Sequence, residues 1–420
     1  MISVSELKSA ITQRIAQLDL HRDVCHVALD GACHQILAHD VMASLDLPRQ
    51  NLSAMDGFAF GVGSDVSELA CLSIIGESCA GKPFMGRVAQ NQGVRIFTGA
   101  VVPDDCDTVV MQEHTNFLQI KDGLDKLKPY DITLTKTATL GDNIRRQGEE
   151  ITQGERLLMA HKRLNPSDVS LLASMGVDKV AVFAPLVVGI IATGDELVAI
   201  GQPLTSLAQI YNANTPTLKA LLGKLPITIK DYGIIADDYH ATLDMIKMAI
   251  SECDVIISSA GVSVGDYDFL TKVVDELGKI NHYKVAMKPG KPFVFGEFCC
   301  DNKTVMYFGL PGNPLSAVVG CLQFVRPALW QLSGSMSVPT FRLNAKATQA
   351  IKKRAGRQEF LRAVFDYDDG GDVVVTPLSS QDSHRVKGLS IANCLLVLDK
   401  DNAGVQAGDV VVIEPFDWIL

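Results

Sequence analysis

The sequence predicts a multidomain α/β protein with a doubly wound parallel sheet, a split elongated N-terminal domain, an inserted β domain and a C-terminal β barrel. Its 420 residues are more than a single hydrophobic core usually contains, so about two to four domains are expected. From residue 183 onward, apolar runs of strand length alternate with helical stretches, a pattern typical of parallel sheets. On both sides of that region the apolar runs are short and broken by Gly, Pro and Asn, which indicates β domains.

The N-terminal segment begins with an amphipathic helix. Ser3 and Glu6 have the spacing of a capping box, in which each side chain satisfies the other residue's backbone amide. Apolar residues then recur at helical spacing, at Leu7, Ile11, Ile15 and Leu18.

A second helical segment follows a long β-rich stretch. Asn165 and Pro166 are typical of a helix start, and Gly176 is typical of a helix end. We therefore expect the elongated domain to be split around the β-rich segment. The predicted divisions are residues 1–47 with 144–182 for the elongated domain and 48–143 for the inserted β domain.

The α/β domain is predicted over residues 183–334. The runs LVVGIIA, DVIISS and VMYFGL have the length and continuous apolarity of buried parallel strands, and helical stretches separate them. Ligands of such sheets bind outside the carboxyl ends of the strands, so the loops after these runs are the candidate site. Short strands separated by Gly, Asp and Asn over 335–420 predict a terminal β barrel or sandwich.

The charge of the chain argues against nucleic acid and anionic membranes as partners. The formal net charge is -10 and the pI is about 5.4. Non-specific attraction to polyanions is therefore disfavoured, and a polyanionic ligand needs a local basic cluster.

The chain is expected to be cytoplasmic. It has no apolar run of the roughly 18 to 20 residues that a membrane span needs, and its N-terminus lacks the pattern of a signal peptide. Its 10 cysteines are scattered without a C-x-x-C pair, which predicts reduced thiols rather than disulfides or a zinc site.

The loop after DVIISS has the composition of a phosphate-binding loop. Glycines let the backbone approach a ligand and serines offer hydroxyls, although an ordinary strand-to-helix turn is an equally good interpretation. The expected binding residues are Ser259, Gly261, Ser263 and Gly265. Asp266 and Asp268 close behind would repel phosphate unless a cation intervenes, so Mg²⁺ is a reasonable cofactor.

The loop after VMYFGL is predicted to be rigid and to share the same cleft. It contains Pro311, Gly312 and Asn313, followed by a further proline that opens the next helix. The alternative is that proline rigidity serves folding alone.

A lysine cluster supplies the positive charge that such a cleft needs. Lys284, Lys288 and Lys291 lie within eight residues of an otherwise acidic chain. A solvated lysine face is the alternative, but the neighbouring prolines and anion loops favour a phosphate-binding set.

Acidic residues at the strand ends add candidate metal ligands. Glu196 follows the first apolar run of the α/β region, and Asp237 follows a second one. Such acids are often only helix caps, and here they are also candidate Mg²⁺ ligands. Asp56 and Thr98 lie in compact turns of the β-rich segment, to which chemistry alone assigns no function.

Seven motifs, in order along the chain, resemble the MoeA family of molybdopterin molybdenumtransferases, which also includes the E domain of gephyrin and its plant counterpart. They are SAMDGFAF (53–60), IFTGAVVP (96–103), NIRRQGEEI (143–151), ATGDEL (192–197), SSAGVSVGDYDF (258–269), KPGKPF (288–293) and GLPGNPLSA (309–317). The resemblance implies the four domains given above, with the α/β domain binding molybdopterin.

The resemblance implies an enzyme of molybdenum cofactor biosynthesis. It would insert molybdate into adenylylated molybdopterin, with Mg²⁺-dependent release of AMP. The family's functional positions match Asp56, Thr98, Glu196, Asp237, Asp268, Lys284, Lys288, Arg362 and Ser383. A homodimer with shared active sites is also implied, and other proteins of the same biosynthesis are further expected partners.

Two alternative functions remain at this point. A MogA-like adenylyltransferase, which carries out the preceding step, resembles only residues 185–330. The β-rich segment and the barrel argue against it. A non-catalytic scaffold like gephyrin is the other alternative, but the chain has no disordered linker of the kind that a scaffold would use.

Overall fold

The computed structural model describes residues 1–18, 22–61, 70–125, 128–260, 269–300, 303–336 and 340–418. The chain forms two compact units. The larger unit comprises Met1–His39, Ala160–Ser170 and Asp178–Leu420, and the smaller unit comprises Asp40–Met159 and Leu171–Val177. Among the described residues, no helix combines the length and the apolarity that crossing a membrane requires. The four-domain division of the sequence stays a prediction.

The helices of the described residues, in chain order, are α1 (Val4–Ala16), α2 (Phe117–Ile120), α3 (Pro166–Ser174), α4 (Asn214–Leu222), α5 (Tyr239–Glu252), α6 (Phe269–Leu277), α7 (Pro314–Gly320), α8 (Arg326–Leu332) and α9 (Lys387–Ile391). A π-helical segment, Cys321–Val325, connects α7 to α8.

The strands are β1 (Val24–Ala28), β2 (Val41–Met42), β3 (Leu52–Ser53), β4 (Gly57–Phe60), β5 (Cys71–Ser78), β6 (Gln92–Ile96), β7 (Thr108–Met111), β8 (Tyr130–Thr133), β9 (Ile144–Arg145), β10 (Arg156–Leu158), β11 (Lys179–Phe183), β12 (Leu186–Thr193), β13 (Leu197–Val198), β14 (Ile210–Tyr211), β15 (Ile227–Ile235), β16 (Val255–Ser259), β17 (Gly278–Lys284), β18 (Met287–Lys288), β19 (Pro292–Cys300), β20 (Lys303–Leu310), β21 (Leu343–Ala347), β22 (Gln358–Tyr367), β23 (Val373–Pro377), β24 (Cys394–Leu398) and β25 (Val410–Pro415).

The smaller unit is β-rich, as the sequence predicts for the inserted segment. Its main sheet has five strands in the order β7-β4-β6-β5-β8. Phe58 and Phe60 of β4 pack on one face and Ala59 packs on the other, so β4 is buried between two cores. A Cβ at Gly57 would lie 1.9 Å from the carbonyl oxygen of Val110, so only glycine fits at the start of this strand.

Helix α1 of the larger unit begins at the predicted capping box. The Ser3 amide donates to Glu6 Oε2 over 2.7 Å, and the Glu6 amide donates to Ser3 Oγ over 3.2 Å. Leu7, Ile11 and Ile15 are buried along one face, and this face packs in the core of the larger unit. The predicted amphipathic helix is therefore confirmed.

A six-stranded sheet in the order β15-β12-β16-β20-β19-β17 forms the centre of the larger unit. Strands β15, β12, β16 and β20 run parallel to one another. Successive side chains of these strands enter opposite cores: Val188 and Ile190 of β12 face α4 and α7, whereas Ile191 faces α5 and α6. Helices cover both faces, which confirms the doubly wound α/β fold.

The sheet is mixed rather than entirely parallel. Strand β19 runs antiparallel to both β20 and β17. The sequence does not predict β17 or β19, because residues 284–292 have the pattern of a stiff loop. β17 is mostly polar and partly exposed at the sheet edge, so its pairing with β19, rather than a continuous apolar run, defines it as a strand.

The C-terminal segment closes into a barrel, as predicted. Its strands follow the order β22-β23-β21-β25-β24, and β24 pairs again with β22. Alternating side chains such as Leu361, Leu396 and Ile413 fill the interior. Strand β18 pairs in parallel with β22, which places Lys288 opposite Glu359. The lysine segment therefore lies along the wall of the barrel.

A buried polar chain joins α1, the π-helical segment and the barrel. Lys8 Nζ donates to Gln323 Oε1 over 2.7 Å, and Gln323 Nε2 donates to Glu414 Oε2 over 2.6 Å. Arg342 Nη2 donates to the other oxygen of Glu414 over 2.7 Å. Burial lowers the pKa of Lys8. Gln323 is 3% exposed and Glu414 is 7% exposed, so the Gln323 amide is a buried link between the half-buried Lys8 ammonium and the buried Glu414 carboxylate.

Replacing this amide should destabilise the larger unit. Gln323→Leu has a similar shape but removes both hydrogen bonds, which leaves Lys8 and one Glu414 oxygen without this partner. We expect the free energy of unfolding to fall by about 2 to 3 kcal/mol. Both tryptophans, Trp330 and Trp418, belong to this unit, so urea unfolding followed by tryptophan fluorescence measures the change.

The matched control is Gln331→Leu, whose exposed amide donates to the Thr12 carbonyl. It should change stability by no more than about 0.5 kcal/mol. Equal losses in the two variants would contradict the importance of the buried chain.

Candidate active site at the strand ends

The register of the parallel strands brings several predicted site segments to one edge of the sheet. Ala192 of β12 lies opposite Ser259 of β16, and Ser259 lies opposite Leu310 of β20. On the other side of β12, Thr193 lies opposite Ile235 of β15. The loops that follow these residues therefore leave the sheet side by side at its carboxyl edge.

The acidic loops after β12 and β15 are joined by a hydrogen bond. The Asp237 amide donates to Asp195 Oδ1 over 3.0 Å. Glu196 folds back over Gly194, where a Cβ would lie 2.6 Å from Glu196 Oε2, and the φ of Gly194 is +140°. Glycine at this position therefore allows the Glu196 carboxylate to lie against the backbone. The predicted residues Glu196 and Asp237 are both exposed at this edge.

One acid of this group is a helix cap. The side chain of Asp238 accepts a hydrogen bond from the Ala241 amide over 2.8 Å and begins α5. Asp238 is thus a helix cap, and the predicted residue Asp237 directly precedes it.

A side-chain amide fastens the loops after β16 and β20 to each other. Asn214 Nδ2 lies 2.7 Å from Ser259 Oγ and 2.7 Å from the carbonyl oxygen of Gly312. Asn214 is the first residue of α4, and Ser259 is 2% exposed. The predicted binding residues Ser259 and Gly312 therefore lie within reach of one side chain.

The backbone after Ser259 adopts an uncommon conformation. Ala260 has a φ of +84°, although it carries a Cβ, and its amide donates to the Leu310 carbonyl over 3.0 Å. Beneath this turn, Ser258 Oγ lies 2.7 Å from the hydroxyl of Tyr307. Such strain is held by its surroundings and is concentrated at functional sites in proteins.

The proline loop after β20 presents polar groups to solvent. Pro311 is buried, whereas Gly312 and Asn313 are exposed. Asn313 precedes α7, but its side chain makes no capping hydrogen bond. The predicted residues of this loop thus combine a buried anchor with an exposed amide.

The barrel contributes a loop to the same edge. The Leu315 amide, at the start of α7, donates to the Ser383 carbonyl over 3.2 Å. Ser383 is half-buried and lies in the loop between β23 and α9. The structure therefore brings the predicted residue Ser383 next to the proline loop.

Arg362 is fully buried, and its side chain holds the barrel loop by contacts with the backbone of that loop. Its guanidinium donates to the carbonyl oxygens of Ser380, Asp382 and Arg385. Gln381 adds a second fastening, because its side-chain amide accepts from the Arg362 amide and donates to the Arg362 carbonyl, each over 2.9 Å. Contact between Arg362 and substrate stays a prediction. In the structure this side chain shapes the loop that carries Ser383.

Of the predicted lysines, Lys284 is the last residue of β17 and Lys288 is the last residue of β18. Lys284 and Lys288 are both exposed. Lys288 Nζ lies 3.7 Å from Glu359 Oε2, which is longer than a hydrogen bond. The ammonium group of Lys288 therefore faces a buried carboxylate of the barrel, and the Lys288 side chain is about half exposed.

Asp56 and Thr98 form a compact pair in the smaller unit. Asp56 Oδ1 accepts hydrogen bonds from both the amide and the hydroxyl of Thr98, each over 2.8 Å. The two turns are also joined through Ser53, whose carbonyl accepts from the Gly99 amide. The hydrogen bond from the Thr98 backbone amide is the main cause that lowers the pKa of Asp56, and the hydrogen bond from the Thr98 hydroxyl is the second. Asp56 is thus an exposed, ionised carboxylate with a fixed orientation.

Several predicted residues lie outside the described residues: Gly261, Ser263, Gly265, Asp266 and Asp268. Within the described ranges, no group of three or more His, Cys, Asp or Glu side chains forms a metal site. The metal ligands predicted from the sequence, Glu196, Asp237, Asp266 and Asp268, accordingly stay predictions.

Asn214 and Gln381 are the residues that the sequence analysis missed. Both act through side-chain amides on backbone groups that are distant in sequence. A weak signal existed for Asn214, because a polar residue between a strand and a helix of an α/β domain lies at the ligand-binding edge. No signal in the sequence indicated Gln381.

Comparisons with known proteins cover nearly the whole chain. The family models that match are the MoeA N-terminal region (domain I and II) over residues 2–176, a probable molybdopterin binding domain over 189–331 and the MoeA C-terminal region (domain IV) over 344–416. The molybdopterin molybdenumtransferase of Haemophilus influenzae is 36% identical over 99% of both chains. That of a Nostoc species is 32% identical over 99% of this chain and 94% of the relative.

A solved structure has the same fold. The crystal structure of the molybdopterin biosynthesis moeA protein from Pyrococcus horikoshii OT3 matches with a TM-score of 0.81 and 24% identity, over 99% of this chain and 100% of that one. Fold and strand-end loops define a multidomain enzyme built around an α/β domain of the molybdopterin-binding type. Both relatives cover 99% of the chain. The chain belongs to the MoeA family of molybdopterin molybdenumtransferases.

The Asp56 and Thr98 pair gives a prediction that does not depend on activity. Thr98→Val has the same shape but removes the hydroxyl, so the pKa of Asp56 should rise toward its ordinary value. The hydrogen bond from the backbone amide of residue 98 should keep this pKa partly lowered. Thr98→Ser keeps the hydroxyl and should leave the pKa of Asp56 nearly unchanged. NMR titration of the Asp56 carboxyl carbon measures both. An unchanged pKa in Thr98→Val would show that the hydroxyl does not stabilise the carboxylate.

Proposed function

We propose that this enzyme acts in molybdenum cofactor biosynthesis, where it inserts molybdate into adenylylated molybdopterin with Mg²⁺-dependent release of AMP. The observation that carries the proposal is the joining of the loops after β16 and β20 by Asn214 at one edge of the sheet. Membership of the MoeA family supplies the reaction class. A cytoplasmic location is part of this proposal and rests on the sequence and the family.

The strand-end loops are proposed to bind the phosphate groups of the adenylylated pterin. The Ser259 hydroxyl and the Asn313 amide are donors at this edge, and the loop that carries Ser383 lies beside them. Donors of this kind suit phosphate oxygens, which only accept. Gly312 leaves room for a ligand to approach the backbone.

The lysines are proposed to balance the charge of the substrates. A pyrophosphate group together with molybdate is strongly anionic, whereas the chain has a net charge of -10. Lys284 and Lys288 are exposed ammonium groups that can donate to such oxygens. When the bond to AMP breaks, negative charge develops on the departing phosphate, and these cations would stabilise it.

The residues present fit a magnesium ion. Mg²⁺ prefers hard oxygen ligands and is usually held by one or two carboxylates together with substrate phosphates. Glu196 and Asp237 are exposed carboxylates at the strand ends, and Asp266 and Asp268 are further candidates from the sequence. When bound, Mg²⁺ would supply stabilisation of charge on the phosphate oxygens.

The proposed function has a direct test in AMP release. Protein incubated with adenylylated molybdopterin, Mg²⁺ and molybdate should release AMP, and omitting molybdate or adding a chelator should stop most of this release. Chromatography of the nucleotides measures it. Release that does not depend on molybdate would refute the molybdenumtransferase assignment, and consumption of ATP with plain molybdopterin would favour the adenylyltransferase alternative.

Lys288→Ala should weaken substrate binding without unfolding the protein. It removes one charge from the proposed anion site, and its side chain is 48% exposed. We expect the Kd for adenylylated molybdopterin to rise roughly tenfold to a hundredfold, since hydrogen bonds to charged groups are the stronger class. Calorimetric titration measures the change, and the melting temperature should stay near that of the wild type.

Lys279→Ala is the control for this experiment, because Lys279 is an exposed lysine near the start of β17, whereas the predicted lysines begin at the last residue of this strand, Lys284. Its Kd should match that of the wild type. Early unfolding of Lys288→Ala, with normal binding by the folded fraction, would make Lys288 a structural residue instead.

A homodimer with shared active sites is the proposed assembly, together with other proteins of the same biosynthesis as partners. Family membership supports it. Asp56 belongs to the smaller unit of the chain, whereas the strand-end loops belong to the larger unit. A two-fold dimer can combine such segments from two copies of the chain.

Mixed dimers test the sharing. Asp56→Asn and Asp268→Asn chains, each inactive alone, are co-assembled and assayed for AMP release. If each site takes Asp56 from one copy and Asp268 from the other, a mixed dimer keeps one intact site. Random pairing then predicts recovery of roughly a quarter of wild-type activity. A mixture that stays inactive after verified subunit exchange would contradict a shared site.

A further inference from the structure

Asn214 makes contacts that fix the direction of a hydroxyl hydrogen. Its Nδ2 atom lies 2.7 Å from Ser259 Oγ and 2.7 Å from the Gly312 carbonyl oxygen. A side-chain amide nitrogen carries two hydrogens and cannot accept. Both hydrogens of this nitrogen are therefore used, one toward each loop.

The Gly312 contact settles which end of the Asn214 amide faces the loops. A backbone carbonyl oxygen only accepts hydrogen bonds, so a flipped amide would place two acceptor oxygens 2.7 Å apart. This arrangement is repulsive. The nitrogen assignment consequently follows from chemistry and not only from the placement of atoms.

The donor at Asn214 determines the role of the Ser259 hydroxyl. Because Ser259 Oγ accepts from Asn214, the hydrogen of the same hydroxyl must point away from this amide. Within the described parts of the chain, Ser259 Oγ makes this one hydrogen bond. Ser259 is 2% exposed, and a buried donor without an acceptor is costly.

We propose that Asn214 is a positioning residue that orients the Ser259 hydroxyl as a hydrogen-bond donor to a phosphate oxygen of the substrate. This inference rests on the proposed function for the identity of the substrate. It adds a basis for selectivity: an oriented donor is satisfied by an acceptor-only oxygen and not by a donor group. Asn214 acts through Ser259 and does not itself need to touch the substrate.

A double-mutant cycle separates this role from a general structural one. Full-length wild type, Asn214→Ala, Ser259→Ala and the double variant are titrated calorimetrically with inorganic pyrophosphate in the presence of EDTA. Each single change should raise the Kd roughly tenfold. The double variant should resemble Ser259→Ala alone, because Asn214 then has no hydroxyl to orient.

A variant that replaces the donor with an acceptor sharpens the test. Asn214→Asp has the same shape but can only accept, so it would turn the Ser259 hydrogen toward itself and away from the anion. Its Kd should rise further than that of Asn214→Ala. Asn212→Asp is the matched control, because within the described residues the hydrogen bonds of the Asn212 side chain go to Thr215, and the Asn212 oxygen already accepts from the Thr215 amide. This control should bind pyrophosphate within about twofold of wild type.

The outcomes that overturn the inference are distinct from failure of the proposed function. Effects of Asn214→Ala and Ser259→Ala that multiply to about a hundredfold would show independent, structural roles. Absence of pyrophosphate binding by the wild type would also overturn it. If Asn214→Ala does not fold, Asn214→Leu, of similar shape, replaces it in the cycle. A coupled cycle in a wild type that releases no AMP would support the oriented donor and refute only the proposed reaction.

Discussion

The parallel register of β15, β12, β16 and β20 is the constraint on which the candidate site depends. It sets Ser259 opposite both Ala192 and Leu310, so three loops leave the sheet at one level. The same register sorts the side chains of each strand between two cores, and a slip of one residue would exchange those cores. The burial of many apolar side chains therefore also determines where the polar loops begin. Stability and site geometry have one origin in this domain.

The parts of the fold that the sequence predicted are those with strong local signals. Continuous apolar runs identified β12, β16 and β20, because only buried strands place every side chain in a core. The capping box at Ser3 and the helix start at Pro166 are also local, since each depends on residues within one turn. Candidate loops followed from the strands, because a parallel sheet places the carboxyl ends of its strands at one edge.

The features that could not be predicted depend on contacts between distant segments. Strands β17 and β19 are defined by pairing with each other, and β18 is defined by pairing with the barrel. The family resemblance that matches Arg362 does not reveal that its guanidinium is buried against carbonyls some 20 residues away. Asn214 reaches Gly312 across 98 positions. A side-chain amide makes the same short bonds at any sequence separation, so periodicity carries no information about such links.

The way Arg362 holds the barrel loop affects how that loop can vary between related proteins. Within the described residues, the hydrogen bonds of the guanidinium go to main-chain oxygens of Ser380, Asp382 and Arg385, and every residue type supplies such an oxygen. The side chains of these residues are thus free to change while the path of the backbone is kept. Sequence identity between relatives will then understate how similar the backbone conformation of this loop is. The backbone conformation of the loop depends more on Arg362, which lies in β22, than on the side chains of the loop residues that it contacts.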